Sequence, residues 1–365
     1  MAGIYLHIPF CPRRCSYCDF YSTTRLQDRE RYVDALIGEL ALRQKECHER
    51  IRTVYLGGGS PSTLETPDLE RLFDALLRYY DLEPDAEITI EANPDDLHLQ
   101  RLKQWKQLPL NRLSVGIQSF DDGELQLLGR RHTAQAARNC IRQARQIGFE
   151  NISIDLMYGL PSQHADTWNY SIGQALALHT QHISAYHLSY EAGTAMYRKR
   201  RQAIDEEQSV AYFLSLRHQL QAAGFEHYEI SNFALPGYES RHNSAYWNGT
   251  PYLGIGAAAH SYDGNTRSWN VSDIDRYMQS IREGKRPFKS ETLTMTDRYN
   301  ETVMLSLRTA KGIDIQKIDK DKQASLLQKA QTFVQQGLLC QKNNFLILTE
   351  KGIFVSDSVI RDLME

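Results

Sequence analysis

Three cysteines near the start of the chain have the spacing of ligands for a single metal centre. Cys11, Cys15 and Cys18 form a C-x3-C-x2-C pattern on one short segment. Structural zinc normally takes four ligands, and no matching Cys or His pair lies nearby. Three thiolates with an open fourth position suit a [4Fe–4S] cluster whose remaining iron is free for an outside ligand. Three incidental buried cysteines, or a purely structural cysteine site in a protein-binding module, are the alternatives.

Glycines and polar side chains at the ends of β-rich runs form a second set of candidate residues. The triplet Gly57-Gly58-Gly59 lets backbone N–H and C=O groups come close to a ligand. Glu91 and Asp155 can accept hydrogen bonds from hydroxyl or ammonium groups. Arg130 presents a planar fork that matches a carboxylate. Helix N-caps and surface ion pairs are the alternative roles for each polar residue taken singly.

The elements that must position these residues alternate between strand and helix up to about Asn232. Periodicity predicts strands over 4–8, 53–56, 87–91, 112–118, 151–157 and 182–189. It predicts helices over 28–44, 67–79, 96–106, 134–147, 166–178 and 206–223. Alternating β and α units indicate parallel strands with right-handed crossovers, and six units are too few for a closed eight-stranded barrel. The prediction is an α/β fold, a partial (β/α)6 TIM-like barrel over residues 1–235, with its working residues at the C-terminal ends of the strands.

The last third of the chain follows two other patterns. Residues 236–288 are rich in Tyr, Trp, Asn and Gly, and are predicted to be a connecting segment. Residues 289–365 are predicted to form a small winged-helix-like α+β domain, with helices over 297–309, 324–336 and 356–364 and a hairpin around Asn343-Asn344. Ten basic and ten acidic residues from 291 to 365 argue against DNA binding and favour a packing or protein-contact module.

Composition excludes several classes of protein. The 365 residues include 42 basic and 45 acidic side chains, so a net charge of -3 provides no general attraction to nucleic acid or an acidic membrane surface. No apolar run approaches the roughly 18 residues of a membrane span, and the first residues lack a signal-peptide pattern. Six cysteines are too few for a disulfide scaffold in a chain of this length. We therefore expect a cytoplasmic protein that is not an integral membrane protein and has no nucleic-acid partner.

The motifs together resemble the radical SAM superfamily, in which a cysteine loop follows the first strand and a glycine triplet follows the second. Closer similarity is to the oxygen-independent coproporphyrinogen III oxidase-like family, over segments 5–11, 57–62, 91–94, 116–120, 128–130 and 155–161. The resemblance implies a [4Fe–4S] cluster on Cys11, Cys15 and Cys18. It also implies that the open iron binds the amino and carboxylate groups of S-adenosylmethionine (SAM).

The resemblance further implies which residues contact SAM. These are Tyr5, Gly58, Gly59, Ser60, Glu91, Gln118, Arg130 and Asp155. Tyr17, between two of the cysteines, is expected to shield the cluster and pack by the adenine, with plain core packing as the alternative. Ser60 stands where threonine is commoner in the family, and either hydroxyl can serve.

Two departures separate this chain from the decarboxylating oxidases of that family. Those enzymes resemble C-x3-C-x2-C-x-C, whereas Phe20 stands here where the fourth cysteine would fall. They also carry a long N-terminal extension, whereas ten residues precede Cys11 here. Residues 242–247, His-Asn-Ser-Ala-Tyr-Trp, resemble the HNxxYW motif of the heme chaperones in the family. The imidazole of His242 can ligate heme iron and the aromatic rings can stack on the macrocycle; an aromatic segment that seals the barrel is the alternative.

The expected function is that of a heme chaperone, which binds heme, a [4Fe–4S] cluster and SAM and delivers heme to acceptor proteins. Oxidative decarboxylation of the propionate side chains of coproporphyrinogen III is the alternative activity. The two departures argue against this decarboxylation. The sequence does not determine whether the protein cleaves SAM, and no catalytic residue is assigned. The expected partners are heme, a heme-accepting protein (a membrane-associated respiratory protein being one candidate) and a second copy of the chain, because aromatic-rich surfaces tend to pair.

Overall fold

Six parallel strands form the centre of the computed structural model, which describes residues 3–47, 49–199 and 203–365. They are β1 (Gly3–Ile8), β2 (Ile51–Gly58), β3 (Leu82–Ala92), β4 (Arg112–Gln118), β5 (Asn151–Tyr158) and β6 (His182–His187). Each strand pairs with the next in chain order. Their apolar side chains are almost all buried, as expected for strands covered on both faces.

Helices cover the outside of these strands and connect them. They are α1 (Arg29–Leu42), α2 (Thr66–Tyr79), α3 (Leu99–Trp105), α4 (Asp122–Leu128), α5 (Ala134–Gln146), α6 (Ala165–Ala177), α7 (Ala195–Arg198) and α8 (Glu206–Ala222). The predicted α/β alternation and the partial (β/α)6 barrel are confirmed. Helices α4 and α7 are too short to produce a periodic pattern and were not predicted.

The sheet does not stop at the six central strands. Beyond β6 lie β8 (Asn232–Ala234) and β7 (Glu226–Glu229), and beyond β1 lie β9 (Tyr252–Ile255), β10 (His260–Tyr262), β11 (Thr266–Asn270) and β12 (Phe288–Thr292). Among the described residues this gives an open twelve-stranded sheet that runs from β12 to β7. Residues 236–288, expected to be a connecting segment, therefore supply strands of the main sheet together with α9 (Arg241–Trp247) and α10 (Ile274–Arg282).

A buried carboxylate anchors that segment to the barrel. Glu39 of α1 is fully buried and accepts hydrogen bonds from Tyr277 Oη at 2.7 Å, the Gly256 amide at 2.8 Å and Asn270 Nδ2 at 2.8 Å. Arg43, one turn further along α1, forms an ion pair with it at 3.1 Å. A buried charge is tolerated only when it is paired and hydrogen-bonded, so these contacts also specify how the segment packs.

The C-terminal residues form a unit with its own apolar core. It contains α11 (Met295–Leu307), β13 (Ile313–Asp314), α12 (Lys320–Gln335), β14 (Leu339–Lys342), β15 (Phe345–Leu348), α13 (Glu350–Ile353) and α14 (Ser356–Leu363). The predicted helices and hairpin are present, with Asn343 in the left-handed turn at φ 53°. Within the described part of the chain, no helix combines the length and the apolar character needed to cross a membrane.

Candidate functional site

A cavity of about 420 Å³ opens at the C-terminal ends of the central strands. Most of the residues predicted to bind cofactors line it: Cys11, Cys15, Tyr17, Cys18, Gly58, Gly59, Ser60, Glu91, Gln118, Arg130 and Asp155. They come from the ends of five different strands and from the loops that follow. The structure thus brings these residues together at the C-terminal ends of the strands, where the functional residues of such barrels lie.

The cysteine loop begins directly after β1. It is attached to the barrel by backbone hydrogen bonds from the Cys11 amide to Thr23 at 2.9 Å and from the Ser16 amide to Leu128 at 3.0 Å. All three thiols are free, and the Sγ atom of Cys11 lies 3.7 Å from the hydroxyl of Ser60. Burial raises the pKa of Cys11 to about 11, so a metal must displace a proton to bind there.

The donor set fits an iron–sulfur cluster. Three unpaired thiols on one loop facing one cavity supply three sulfur ligands and leave one cluster position for another donor. Among the described residues, no three His, Cys, Asp or Glu side chains stand close enough together to hold a metal ion.

The glycine triplet lets β2 pass close to the chain that enters the cysteine loop. A Cβ atom on Gly59 would lie 2.8 Å from the carbonyl carbon of Pro9 and 2.9 Å from the Phe10 oxygen. Gly58 has φ 114°, a conformation that other residues adopt only with strain. Only glycine fits here, which leaves the backbone of β2 open toward the cavity.

Two half-buried carboxyl groups line the cavity from β3 and β5. Glu91 accepts hydrogen bonds from Tyr55 Oη at 2.8 Å and from the Gly58 amide at 3.1 Å. Burial raises the pKa of Glu91 to about 7, and the nearby Asp155 adds to the shift. Burial also raises the pKa of Asp155 to about 6, against an opposing hydrogen bond from Ser184. A cationic or hydroxyl-bearing ligand that replaces the missing solvation would lower both pKa values and so favour the ionised carboxylates.

Arg130 reaches the cavity because α4 ends at Gly129, whose left-handed backbone (φ 78°) turns the chain inward. Its guanidinium donates to Asn93 Oδ1 and to the Gly116 carbonyl, both at 2.5 Å, and lies 3.5 Å from Cys15 Sγ. Asn93 in turn donates to Ser60 Oγ at 2.8 Å. The sequence analysis missed Asn93, although its place two residues after Glu91 at the same strand end was a signal.

Gln118 stands at an irregular point of the sheet. Its φ of 72° lies in the left-handed region, where the pairing of β4 with β5 shifts register. Such a conformation costs about 1 kcal/mol or more in a residue other than glycine and is characteristic of functional sites. This irregularity ends the regular pairing of β4 with β5 at the cavity wall, where Gln118 lies.

Tyr17 lies between the cavity and the apolar interior. Its side chain lines the cavity and also packs against a small apolar cluster that includes Leu128 and Met157. Phe20, at the position of the missing fourth cysteine, lies at the cavity mouth with 65% of its surface exposed.

Tyr5 does not reach the cavity wall. It lies in the barrel interior, where its hydroxyl is 3.1 Å from His7 Nδ1 and its ring stacks on Tyr55 with 6.2 Å between centroids. Tyr55, which was not predicted as a site residue, donates a hydrogen bond to Glu91 at the cavity wall. The two tyrosines occupy paired positions of β1 and β2, and only the tertiary structure distinguishes their surroundings.

His242 lies at the opposite end of the barrel. Its Nδ1 atom is 2.8 Å from Thr53 Oγ1, near the start of β2, and its Nε2 atom is 2.9 Å from Tyr246 Oη. The side chain is only 2% exposed, and burial lowers its pKa to about 3. Both ring nitrogens have hydrogen-bond partners in this arrangement, and the ring stacks on Tyr5 and Tyr55 between β1 and β2. Ligation of heme iron by this imidazole stays a prediction.

Comparison with known proteins places this arrangement in a family. Residues 5–172 match the radical SAM superfamily, and residues 293–355 match the HemN C-terminal domain. The chain is 34% identical to the heme chaperone HemW of Bacillus subtilis, over 98% of each protein. It is 33% identical to the heme chaperone HemW of Lactococcus lactis, over 99% of this chain and 96% of that protein. The chain belongs to the HemW family of radical SAM proteins.

A solved structure supports the fold. The coproporphyrinogen III oxidase HemN of Escherichia coli, a radical SAM enzyme, superposes with a TM-score of 0.88. The match covers 100% of this chain and 90% of that one, at 24% sequence identity. Membership of the radical SAM superfamily implies a [4Fe–4S] cluster and SAM as cofactors, and the cavity of this HemW-family chain has the thiols, glycines and carboxyls that suit them.

Proposed function

We propose that this protein is a heme chaperone that holds a [4Fe–4S] cluster and SAM in the cavity at the strand ends and delivers heme to acceptor proteins. The observation that carries the proposal is that the cysteine loop, the glycines and the rim carboxyls line one cavity. They do so in a chain that matches heme chaperones along 98% of its length.

Different residues of the cavity hold different parts of the cofactors. Cys11, Cys15 and Cys18 hold the cluster, which when bound supplies an iron for the amino and carboxylate groups of SAM. The backbone of Gly58 and Gly59 and the hydroxyl of Ser60 would contact the methionine part of SAM. The carboxyls of Glu91 and Asp155 and the amide oxygen of Gln118 would accept hydrogen bonds from the amino group and the ribose hydroxyls of SAM. Arg130 would bind the SAM carboxylate, and Tyr17 would cover the adenine.

Heme is assigned to a second cavity, also of about 420 Å³, at the N-terminal ends of the strands beside α9. Arg52 and Arg241 line it and form exposed ion pairs with Glu83 at 3.4 Å and Asp85 at 3.0 Å. Heme propionates can take the place of those exposed carboxylates at the two guanidinium groups. Thr53 also lines this cavity, and His242 lies behind Thr53 and bonds to its hydroxyl. His242 therefore holds Thr53 and α9 in place.

The heme assignment is tested by titrating heme into the reconstituted protein under anaerobic conditions and following absorbance. Replacing both Arg52 and Arg241 by glutamine is expected to weaken binding about tenfold or more, because two charge-assisted contacts are lost. Arg50→Gln is the matched control, since Arg50 is equally exposed and ion-paired but does not line the cavity. Unchanged affinity in the double variant would remove heme from this cavity. Absence of saturable heme binding in the wild-type protein would overturn the function.

The alternative activity is assayed in the same preparation. Coproporphyrinogen III, SAM and a reductant are added, and vinyl products are measured. We expect none, since Phe20 stands in place of the fourth cysteine of the decarboxylating enzymes. Vinyl product that depends on SAM would establish an oxidase instead of a chaperone.

Delivery of heme requires an acceptor, and we propose a cytoplasmic encounter with a heme-requiring protein, a membrane-associated respiratory protein included. All six cysteines are free thiols, as suits a reducing compartment. Transfer is measured as loss of the heme spectrum of the loaded protein when an acceptor freed of its heme is added. Retention of heme in the presence of every acceptor tested would contradict the delivery step.

A further inference from the structure

One layer of the barrel interior is polar. Tyr55, Thr89, Arg112 and Asn151 are direct neighbours across the parallel strands β2, β3, β4 and β5. Paired residues of adjacent strands have their side chains on the same face of a sheet, and that of Tyr55 points into the barrel, where it bonds to Glu91. Bulky branched side chains usually fill the interior of such barrels, so a polar layer at this position indicates a specific role.

Arg112, the first residue of β4, is a buried cation without a partner of opposite charge. It is only 1% exposed. Within residues 3–47, 49–199 and 203–365, no carboxylate forms an ion pair with its guanidinium group, and its Nε–H group has no hydrogen-bond acceptor. Arginine is almost never fully buried unless it is paired, because its charge is strongly hydrated. An unpaired guanidinium group in the barrel interior therefore indicates a bound anion.

The two carboxyl groups that share this interior are held by other groups. Glu87 accepts hydrogen bonds from two backbone amides at the start of α9, that of His242 at 3.0 Å among them. Burial raises the pKa of Asp155 to about 6, against a hydrogen bond from Ser184 and the charge of Arg112. The same charge adds to burial in lowering the pKa of His242 to about 3, so this imidazole is neutral. The charge of Arg112 thus acts on the whole interior and is not balanced there by an ion pair.

The two strand neighbours of Arg112 also have polar atoms without partners. Both the hydroxyl of Thr89 and the Oδ1 atom of Asn151 are buried, and neither has a hydrogen-bond partner among the described residues. Thr89 lies on one side of Arg112 and Asn151 on the other. Neighbouring strands are about 4.8 Å apart, so the three side chains reach a common region of the interior. Buried polar atoms are normally hydrogen-bonded, and three unpartnered ones on adjacent strands point to a ligand.

We propose that the barrel interior binds a small oxyanion of the bicarbonate type at Arg112, Thr89 and Asn151. The Nε–H group of Arg112 and the hydroxyl of Thr89 donate to two oxygens of the anion, and its own O–H group donates to Asn151 Oδ1. A water molecule would satisfy the three atoms but leave the charge of Arg112 unbalanced. Chloride would balance the charge but has no hydrogen to donate to Asn151.

The site contains none of the residues assigned to the cluster, SAM or heme, so its failure would not affect the proposed function. The test measures the melting temperature of the cluster-loaded protein in buffers freed of carbon dioxide, at about pH 8, as sodium bicarbonate is added. Sodium gluconate, whose anion is too large for the interior, keeps the ionic strength constant. Because the anion binds only the folded protein, saturating bicarbonate is expected to raise the melting temperature by about 3 °C or more. Sodium chloride in its place is expected to give a smaller rise.

Three variants locate the effect within the barrel. Arg112→Met removes the charge and is expected to abolish the response to bicarbonate. Thr89→Val keeps the shape of the side chain and removes only the hydroxyl, so it tests the site independently of the folding of the arginine variant; it is expected to weaken bicarbonate binding about tenfold. Thr180→Val is the matched control, because Thr180 is equally buried with an unpartnered hydroxyl but is not a strand neighbour of Arg112. Its response should equal that of the wild type.

Equilibrium dialysis with labelled bicarbonate measures the binding directly. The wild-type protein is expected to hold one anion per chain that Arg112→Met does not hold. A melting temperature that does not depend on bicarbonate would overturn the proposal and leave water as the partner of these atoms. An equal rise with chloride would overturn the oxyanion assignment, and equal responses of the two threonine variants would remove the anion from this layer of the barrel.

Discussion

Replacing Tyr55 by phenylalanine is expected to move the pH dependence of SAM binding to higher pH. The Tyr55 hydroxyl donates to Glu91 at 2.8 Å and so lowers a pKa that burial raises to about 7. A hydrogen bond to a charged group contributes about 1.5–3 kcal/mol, and one pKa unit corresponds to about 1.4 kcal/mol. Loss of the bond is therefore expected to raise the pKa of Glu91 by about one to two units.

The direction of the effect on binding follows from the ionisation of the carboxyl group. Glu91 accepts hydrogen bonds at full strength only as a carboxylate, which predominates above its pKa. SAM affinity of the wild-type protein should therefore increase as pH rises through about 7. One pH unit below the pKa, about a tenth of the carboxyl is ionised and the affinity is about tenfold weaker. In the variant the same increase should come one to two units later.

The assay is calorimetric titration of SAM into the cluster-loaded protein between about pH 6 and 9. Tyr5→Phe is the matched control, because that hydroxyl bonds to His7 rather than to Glu91, and its midpoint should equal that of the wild type. Glu91→Gln removes this titrating group and should flatten the profile above about pH 7, where Asp155, with a pKa of about 6, is already ionised. If Tyr55→Phe and the wild type share one midpoint, the protonation of Glu91 does not govern SAM binding.

Three further predictions concern the packing of the fold. Gly59→Ala places a carbon 2.8 Å from backbone and should reduce both cluster content and melting temperature, whereas Gly173→Ala, with no atom within 4 Å, should stabilise its helix by about 0.5–1 kcal/mol; equal melting of the two variants would contradict this. His242→Ala removes the buried imidazole that bonds to the hydroxyls of Thr53 and Tyr246 and should cost about 1–3 kcal/mol in urea unfolding; a changed heme spectrum at unchanged stability would show instead that the imidazole is a heme ligand. Glu39→Gln removes one of the two carboxylates paired with the buried Arg43, the other being Glu46, and weakens the buried hydrogen bonds to residues 256–277. It should cost about 1.5–3 kcal/mol, so an unaltered thermal midpoint would show that the network does not anchor residues 236–288.

Much of the cofactor site could be predicted because it depends on local patterns. Strands and helices of the barrel have periods of about two and 3.6 residues, which are visible in the order of residues alone. Since parallel strands present their C-terminal ends at one edge, residues such as Glu91, Gln118 and Asp155 could be expected together. Tyr55 was missed because its role is a contact to Glu91, which no pattern around it indicates. Asn93 was missed although it lies at the same strand end as Glu91, because only the structure shows its contact with Arg130.

The alternation of strands and helices, the spacing of three thiols on one loop and the glycines at the end of β2 can all be read from the order of the residues. These features depend on residues close together along the chain. The position of His242 against Thr53 at the far end of the barrel, the extension of the sheet beyond β1 by residues 252–292, and the burial that raises the pKa of Glu91 to about 7 come from the folded chain alone. The physical reason is that hydrogen bonds, strand neighbours and desolvation are set by residues distant in sequence, and no periodicity encodes them.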